Sequence, residues 1–123
     1  MECCVFGDDC DEPAKVYNQR QLVAKKPHRC TECREEIPGG AQYERVDGLW
    51  DGHWSTYKTC LSCVEIRDHF AAKCGGHWVF EQVWSDLEEY FFPDMKAGGP
   101  CMEGLSPAAK ARLFERRLAW LHD

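Results

Sequence analysis

Cys30-Thr31-Glu32-Cys33 and Cys60-Leu61-Ser62-Cys63 decide how this chain folds. Each Cys-x-x-Cys pair can bend back on itself and offer two sulfurs of one tetrahedron, and the 26 residues between them carry two turn signals and a strand pattern. The spacing predicts one four-thiolate Zn²⁺ site made by Cys30, Cys33, Cys60 and Cys63. Two disulfides or four unrelated buried thiols are the competing readings, and the expected reducing setting of the chain argues against both.

Between the pairs, Ile37-Pro38-Gly39-Gly40 reads as a turn, since proline fixes its own φ and glycine accepts a positive one. Residues 41–46 then read as a strand. Asp47-Gly48 and Asp51-Gly52 bracket Leu49 and Trp50 as a hairpin tip longer than two residues, and residues 53–59, rich in β-formers, return the chain to Cys60. Residues 61–73 follow as a helix with Val64, Ile66, Phe70 and Ala71 on a partial apolar face. Cys60 and Cys63 fall at its first turn, where the positive end of the helix dipole favours thiolate over thiol. A thiol-bearing turn, a hairpin and a helix starting on the second thiol pair describe a treble-clef zinc finger in an α+β chain. Treble clefs serve many functions, so this order specifies a fold and leaves the activity open.

Before the finger, residues 16–24 are sparsely apolar, and Lys25-Lys26-Pro27-His28-Arg29 is the most basic run. Such a run is most simply a solvated face, with contact to nucleic acid as the sharper alternative. Cys3, Cys4 and Cys10 crowd the first ten residues. A bound metal would protect such thiols, which leads to a second zinc built from Cys4, Cys10 and Cys74 and completed by Cys3 or Cys101. The competing reading leaves several of them as free thiols.

After the finger, Cys74-Gly75-Gly76-His77 ends the helix. Residues 78–90 read as a second helix, with Phe80, Val83, Trp84, Leu87, Tyr90 and Phe91 at helical spacing. Its polar side holds Glu81, Asp86, Glu88 and Glu89 without a lysine or arginine. Such an aromatic stripe is first of all core; the functional alternative is a docking face for a basic partner. Phe92-Pro93-Asp94 breaks this helix, and Ser106-Pro107 opens the last as N-cap and first-turn proline. Lys110, Arg112, Arg116 and Arg117 make that last helix basic, suited to lie against the acidic one.

Across its 123 residues the chain reads as one domain, with 26–73 as the finger and 78–123 as a helical extension. Met1-Glu2-Cys3-Cys4 carries no basic leader, and no stretch is long and apolar enough to span a bilayer, so a cytoplasmic setting is expected. Fifteen basic and 21 acidic side chains give a formal charge of −6, and each four-thiolate zinc adds two more negative charges. This balance opposes non-specific attraction to nucleic acid and favours a partner with a basic surface.

Catalytic motifs are missing from the sequence. A closed four-sulfur shell leaves no position for water or substrate, and neither a phosphate-binding glycine loop nor a Gly-x-Ser-x-Gly elbow occurs. His53 stands where treble-clef nucleases keep a catalytic histidine but lacks a companion base, so no enzymatic activity is expected.

Around the finger the chain resembles short phage and prophage proteins of unassigned function. The resemblance rests on Lys26 to Cys33, on Tyr43 to Gly52, and on Tyr57 to Cys63 with Ile66-Arg67-Asp68, extends weakly over Val83 to Leu87, and does not reach beyond Asp94. It implies a viral accessory protein that binds and disables a host protein, as anti-CRISPR proteins do. Trp50 on the hairpin, with Glu81, Asp86, Glu88 and Glu89, would form the contact surface in the host cytoplasm. A nucleic-acid-binding regulator using Lys25, Lys26, Arg29 and the last helix is the alternative.

Overall fold

The computed structural model describes residues 3–6, 16–76, 78–95 and 99–122. The fold is α+β, and its chain divides into two compact units, Asp9–Val64 and Met1–Asp8 with Glu65–Asp123.

The first unit is built on an antiparallel sheet of β1 (Val16–Val23), β4 (Gln42–Trp50) and β5 (His53–Cys60), with β4 in the centre. A small second ladder pairs β2 (His28–Arg29) with β3 (Glu36–Ile37). The β4–β5 turn has only two residues, Asp51 (φ 49°) and Gly52 (φ 77°), both in the left-handed region that matches the twist of paired strands. Asp47-Gly48, expected in the tip, instead continues β4. Asp47 is held there by Arg20 and Arg45 at 3.3 and 3.0 Å and by the Thr56 hydroxyl at 2.6 Å.

β1 is the element that hydropathy alone does not disclose. Its pairing places Asn18 opposite Asp47 and Gln19 opposite Val46, and polar links secure it, including the Gln19 amide donating to Glu44 at 2.6 Å. An edge strand needs no apolar alternation when its ladder and cross-strand polar pairs fix the register. The buried apolar set of this unit includes Ala24, Ile37, Tyr43, Val46 and Cys63.

The helix α1 (Leu61–Ala72) starts in the first unit and continues into the second. It ends as its glycines require: Gly75 (φ 74°) and Gly76 (φ 88°) turn the chain, and Gly76 N–H returns to the Ala71 carbonyl at 2.7 Å. Helix α2 spans Val83–Tyr90 and not 78–90. Glu81 sits at φ 72°, a conformation that cannot be carried through a right-handed helix, so the earlier aromatics Trp78 and Phe80 lie outside it. Two 3₁₀ turns, Phe92–Asp94 and Pro100–Met102, precede α3 (Pro107–Leu121).

Ser106 caps α3, its hydroxyl accepting from Ala109 N–H at 3.1 Å, as Ser-Pro predicts. Phe6, Ile66, Phe70, Val83, Leu87, Phe92, Met102 and Leu113 are the most deeply buried apolar residues of this unit. Arg67 is buried with them; its guanidinium lies 4.4 Å from the Trp78 ring centre and pairs with Asp68 at 2.8 Å. Among the described residues no helix is long and apolar enough to cross a membrane.

Candidate metal centre

The two Cys-x-x-Cys pairs meet in the first unit. After Cys30 and Cys33 the chain turns tightly, with Arg34 at φ 66°, Arg34 N–H on the Cys30 carbonyl at 3.0 Å and Cys30 N–H on the Glu35 carbonyl at 2.9 Å. This turn is sewn to the end of β5 in both directions. Thr31 N–H donates to the Lys58 carbonyl at 2.7 Å, and Lys58 N–H donates to the Thr31 hydroxyl at 2.9 Å. The second pair follows two residues later, at the junction of β5 and α1.

As a result the sulfurs of Cys30, Cys33, Cys60 and Cys63 all lie within 4.8 Å of one another, and Cys33 Sγ to Cys60 Sγ is 3.9 Å. Four sulfurs on a tetrahedral zinc at about 2.3 Å stand about 3.8 Å apart, so the cluster has the size such an ion needs. Cys30, Cys33 and Cys63 are buried and Cys60 is half-buried. Cys60 N–H points at Cys30 Sγ at 3.4 Å, a donor that favours thiolate.

The four sulfurs cannot share their protons evenly. Hydrogen bonding from Cys33 draws the Cys30 thiol down to about 6, and bonding from Cys30 draws Cys60 to about 6. Cys33, between a raising contact from Cys30 and a lowering one from Cys60, falls to about 7. Hydrogen bonding with Cys30, Cys33 and Cys60, and then burial, drives the Cys63 thiol far upward. A divalent cation at the centre removes this conflict by charge. Donor type, number, spacing and burial fit a metal ion such as Zn²⁺ held by Cys30, Cys33, Cys60 and Cys63.

The remaining described cysteines take a different form from the second thiolate cluster expected of them. Cys3 pairs with Cys101 and Cys4 with Cys74 as disulfides, so these sulfurs hold each other and not an ion. Cys10 and His77 lie outside the described residues. The two bridges close sequence separations of 98 and 70 residues, which no local pattern encodes.

Trp50 does not stand up from the hairpin tip. Its indole folds back over Gly48 and is flanked edge-on by Tyr17 at 6.2 Å and Tyr57 at 5.7 Å, leaving it half-buried. The exposed tryptophan of the hairpin is Trp54, which alternation sends to the opposite face. On α2, Val83, Trp84 and Leu87 are core, as the simpler reading of the aromatic stripe has it. Arg116 and Arg112 of α3 cover the Trp84 ring at 4.2 and 5.7 Å, so the basic helix meets the acidic one through an aromatic face. Asp86, Glu89 and the exposed Tyr90 occupy the adjoining flank, while Glu81 precedes the helix and Glu88 lies half-buried on its other side. Burial and the neighbouring Glu89 charge raise the Asp86 carboxyl above its usual range.

The fold also assembles a basic group that sequence distance conceals. Lys58 Nζ lies 3.3 Å from His28 Nδ1, and the His28 ring lies against Tyr43 at 5.3 Å. Slight desolvation and the charges of Lys58, Lys26 and Arg45 hold the His28 imidazole below its ordinary value. The β-alternation of β4 and β5 was the available signal, because it puts Arg45 and Lys58 opposite each other on one face.

Comparison with family models, with curated proteins and with solved structures gives no match.

Proposed function

We propose that the protein is a non-enzymatic binding module, stapled by Zn²⁺ in a treble-clef arrangement, that occupies a basic surface on another protein. The carrying observation is the flank of α2: among the described residues no cation pairs with Asp86 or Glu89, burial and then the Glu89 charge raise the Asp86 carboxyl, and Tyr90 beside them is 60 % exposed. Carboxylates held close together with an exposed aromatic gain most from a cationic partner, which relieves their repulsion while the ring supplies contact area. The order of thiol turn, hairpin and thiol-bearing helix supports the treble-clef reading. The closed sulfur shell supports a structural metal over a catalytic one. The resemblance to phage accessory proteins makes the partner a host factor in the cytoplasm, with a defence complex as the proposed target.

The test is to capture partners from a bacterial lysate on the full-length zinc-loaded protein, then measure affinity for the purified partner against salt. We expect affinity to fall steeply with salt and to drop at least tenfold for Asp86→Lys/Glu89→Lys. Affinity indifferent to both would overturn the reading.

The basic group of the first unit, His28 with Lys58, Lys26 and Arg45, supports a second reading as a nucleic-acid-binding module. A gel shift with random duplex and single strand separates the two: retardation that disappears with salt and with Arg45→Ala/Lys58→Ala favours nucleic acid.

A further inference from the structure

Four sulfurs of the second unit hang from three points of the chain that the fold gathers together. Cys3 and Cys4 are neighbours, so their Cα atoms stand about 3.8 Å apart. Cys101 lies 5.3 Å (Cα to Cα) from Cys3, and Cys74 lies 4.8 Å from Cys4. Cys74 and Cys101 are buried, Cys3 and Cys4 half-buried, and Val5 and Phe6 continue from them into the core.

Two features repeat what the first cluster shows. Cys74, like Cys33, is followed directly by a left-handed residue, Gly75 (φ 74°) in one case and Arg34 (φ 66°) in the other. A backbone N–H also donates to a sulfur in each: Phe6 to Cys74 Sγ at 3.3 Å, Cys60 to Cys30 Sγ at 3.4 Å. Such donors favour thiolate, which a structural disulfide does not require. His69 is not a competing ligand, because its Nε2 lies 2.6 Å from the Cys101 carbonyl oxygen and holds that turn in place.

The same chain carries four free thiols in mutual contact and two disulfides. Cys3 and Cys4 are only half-buried, which leaves their bridges open to attack by small-molecule thiols.

We propose that Cys3, Cys4, Cys74 and Cys101 form a second four-thiolate site for a soft divalent cation, zinc first, and that the two disulfides are its oxidised, metal-free form. The conversion is balanced. Each S–S bond breaks as a pair of small-molecule thiols delivers two electrons and two protons, and those thiols leave joined as a disulfide. The four protein thiols then lose four protons to solvent as one divalent cation binds, and the filled site carries a net charge of −2. Cys10 is not needed for this set, which distinguishes it from the composition that crowding at the N-terminus implies. The proposal is independent of the partner-binding reading.

Native mass spectrometry of the full-length protein tests it by counting zinc before and after anaerobic treatment with reduced glutathione and added Zn²⁺. Iodoacetamide alkylation, mapped by peptide, reports separately which sulfurs are free. The expected result is one zinc in the oxidised protein and two in the reduced one, with Cys3, Cys4, Cys74 and Cys101 shielded from alkylation. The second zinc leaves on oxidation with diamide and is missing from Cys74→Ser. Should Cys74→Ser fail to fold, Cys101→Ser and the wild-type alkylation map carry the test. A reduced protein that holds one zinc while those four sulfurs alkylate overturns the proposal. So do bridges that resist glutathione in the folded protein.

Discussion

Gly48 lies beneath the indole of Trp50, so close that a methyl group at residue 48 would overlap the ring. That explains why an Asp-Gly pair, ordinarily a turn signal, stands inside a strand here: the glycine makes room for a ring flanked edge-on by Tyr17 and Tyr57. Gly48→Ala should therefore destabilise the protein by about 1–3 kcal/mol, the cost of overpacking. In a Trp50→Ala background the same change should be neutral or slightly stabilising, because alanine then only restricts the unfolded chain. Urea unfolding of the four proteins of this cycle checks it, and equal effects in both backgrounds would separate the two residues.

Glu65 of α1 accepts twice from Ser106, from its N–H at 2.8 Å and from its hydroxyl at 2.9 Å, while that hydroxyl caps α3. Ser106→Ala removes the cap and one of these bonds, and should cost about 1–2 kcal/mol. Glu65→Ala should cost a similar amount, and the double variant less than the two combined, because the groups act as one network. Thermal unfolding of all three variants reads the coupling.

Asp47 sets the acid limb of stability in the sheet. The Thr56 hydroxyl, then Arg45 and Arg20, hold its carboxyl below the ordinary 3.8. An acid with a depressed folded value stabilises the fold above its unfolded value, and that contribution is lost as pH falls through the folded one. Asp47→Asn should remove this loss and flatten the pH dependence below about pH 4, at a cost near neutrality of under about 1 kcal/mol for partly exposed pairs. Unfolding midpoints measured from pH 2 to 7 for both proteins decide it.

How far the sequence discloses this molecule depends on how far apart the interacting residues lie. The Cys30, Cys33, Cys60 and Cys63 cluster was legible because its signal is a local spacing repeated twice, and the Ser106 cap and the glycine stop after α1 were legible for the same reason. β1 was not, since its polar residues become a strand only by pairing with β4. The start of α2 was misplaced because aromatic periodicity continues through Glu81 although its backbone does not. The pairings of Cys3 and Cys4 were hidden by their sequence separation, and two sulfurs close in space satisfy a bridge as readily as a metal.

Cys30, Cys33, Cys60 and Cys63 lie close enough to join the two Cys-x-x-Cys pairs on one metal ion. X-ray absorption at the zinc edge on folded, oxidised protein, repeated on Cys30→Ser and Cys63→Ser, tests this most directly. Four sulfur neighbours at about 2.3 Å are expected in the wild type, with loss of bound zinc in both variants. Folded wild-type protein that retains four reduced thiols and binds no zinc, or a zinc shell containing nitrogen or oxygen, would contradict it.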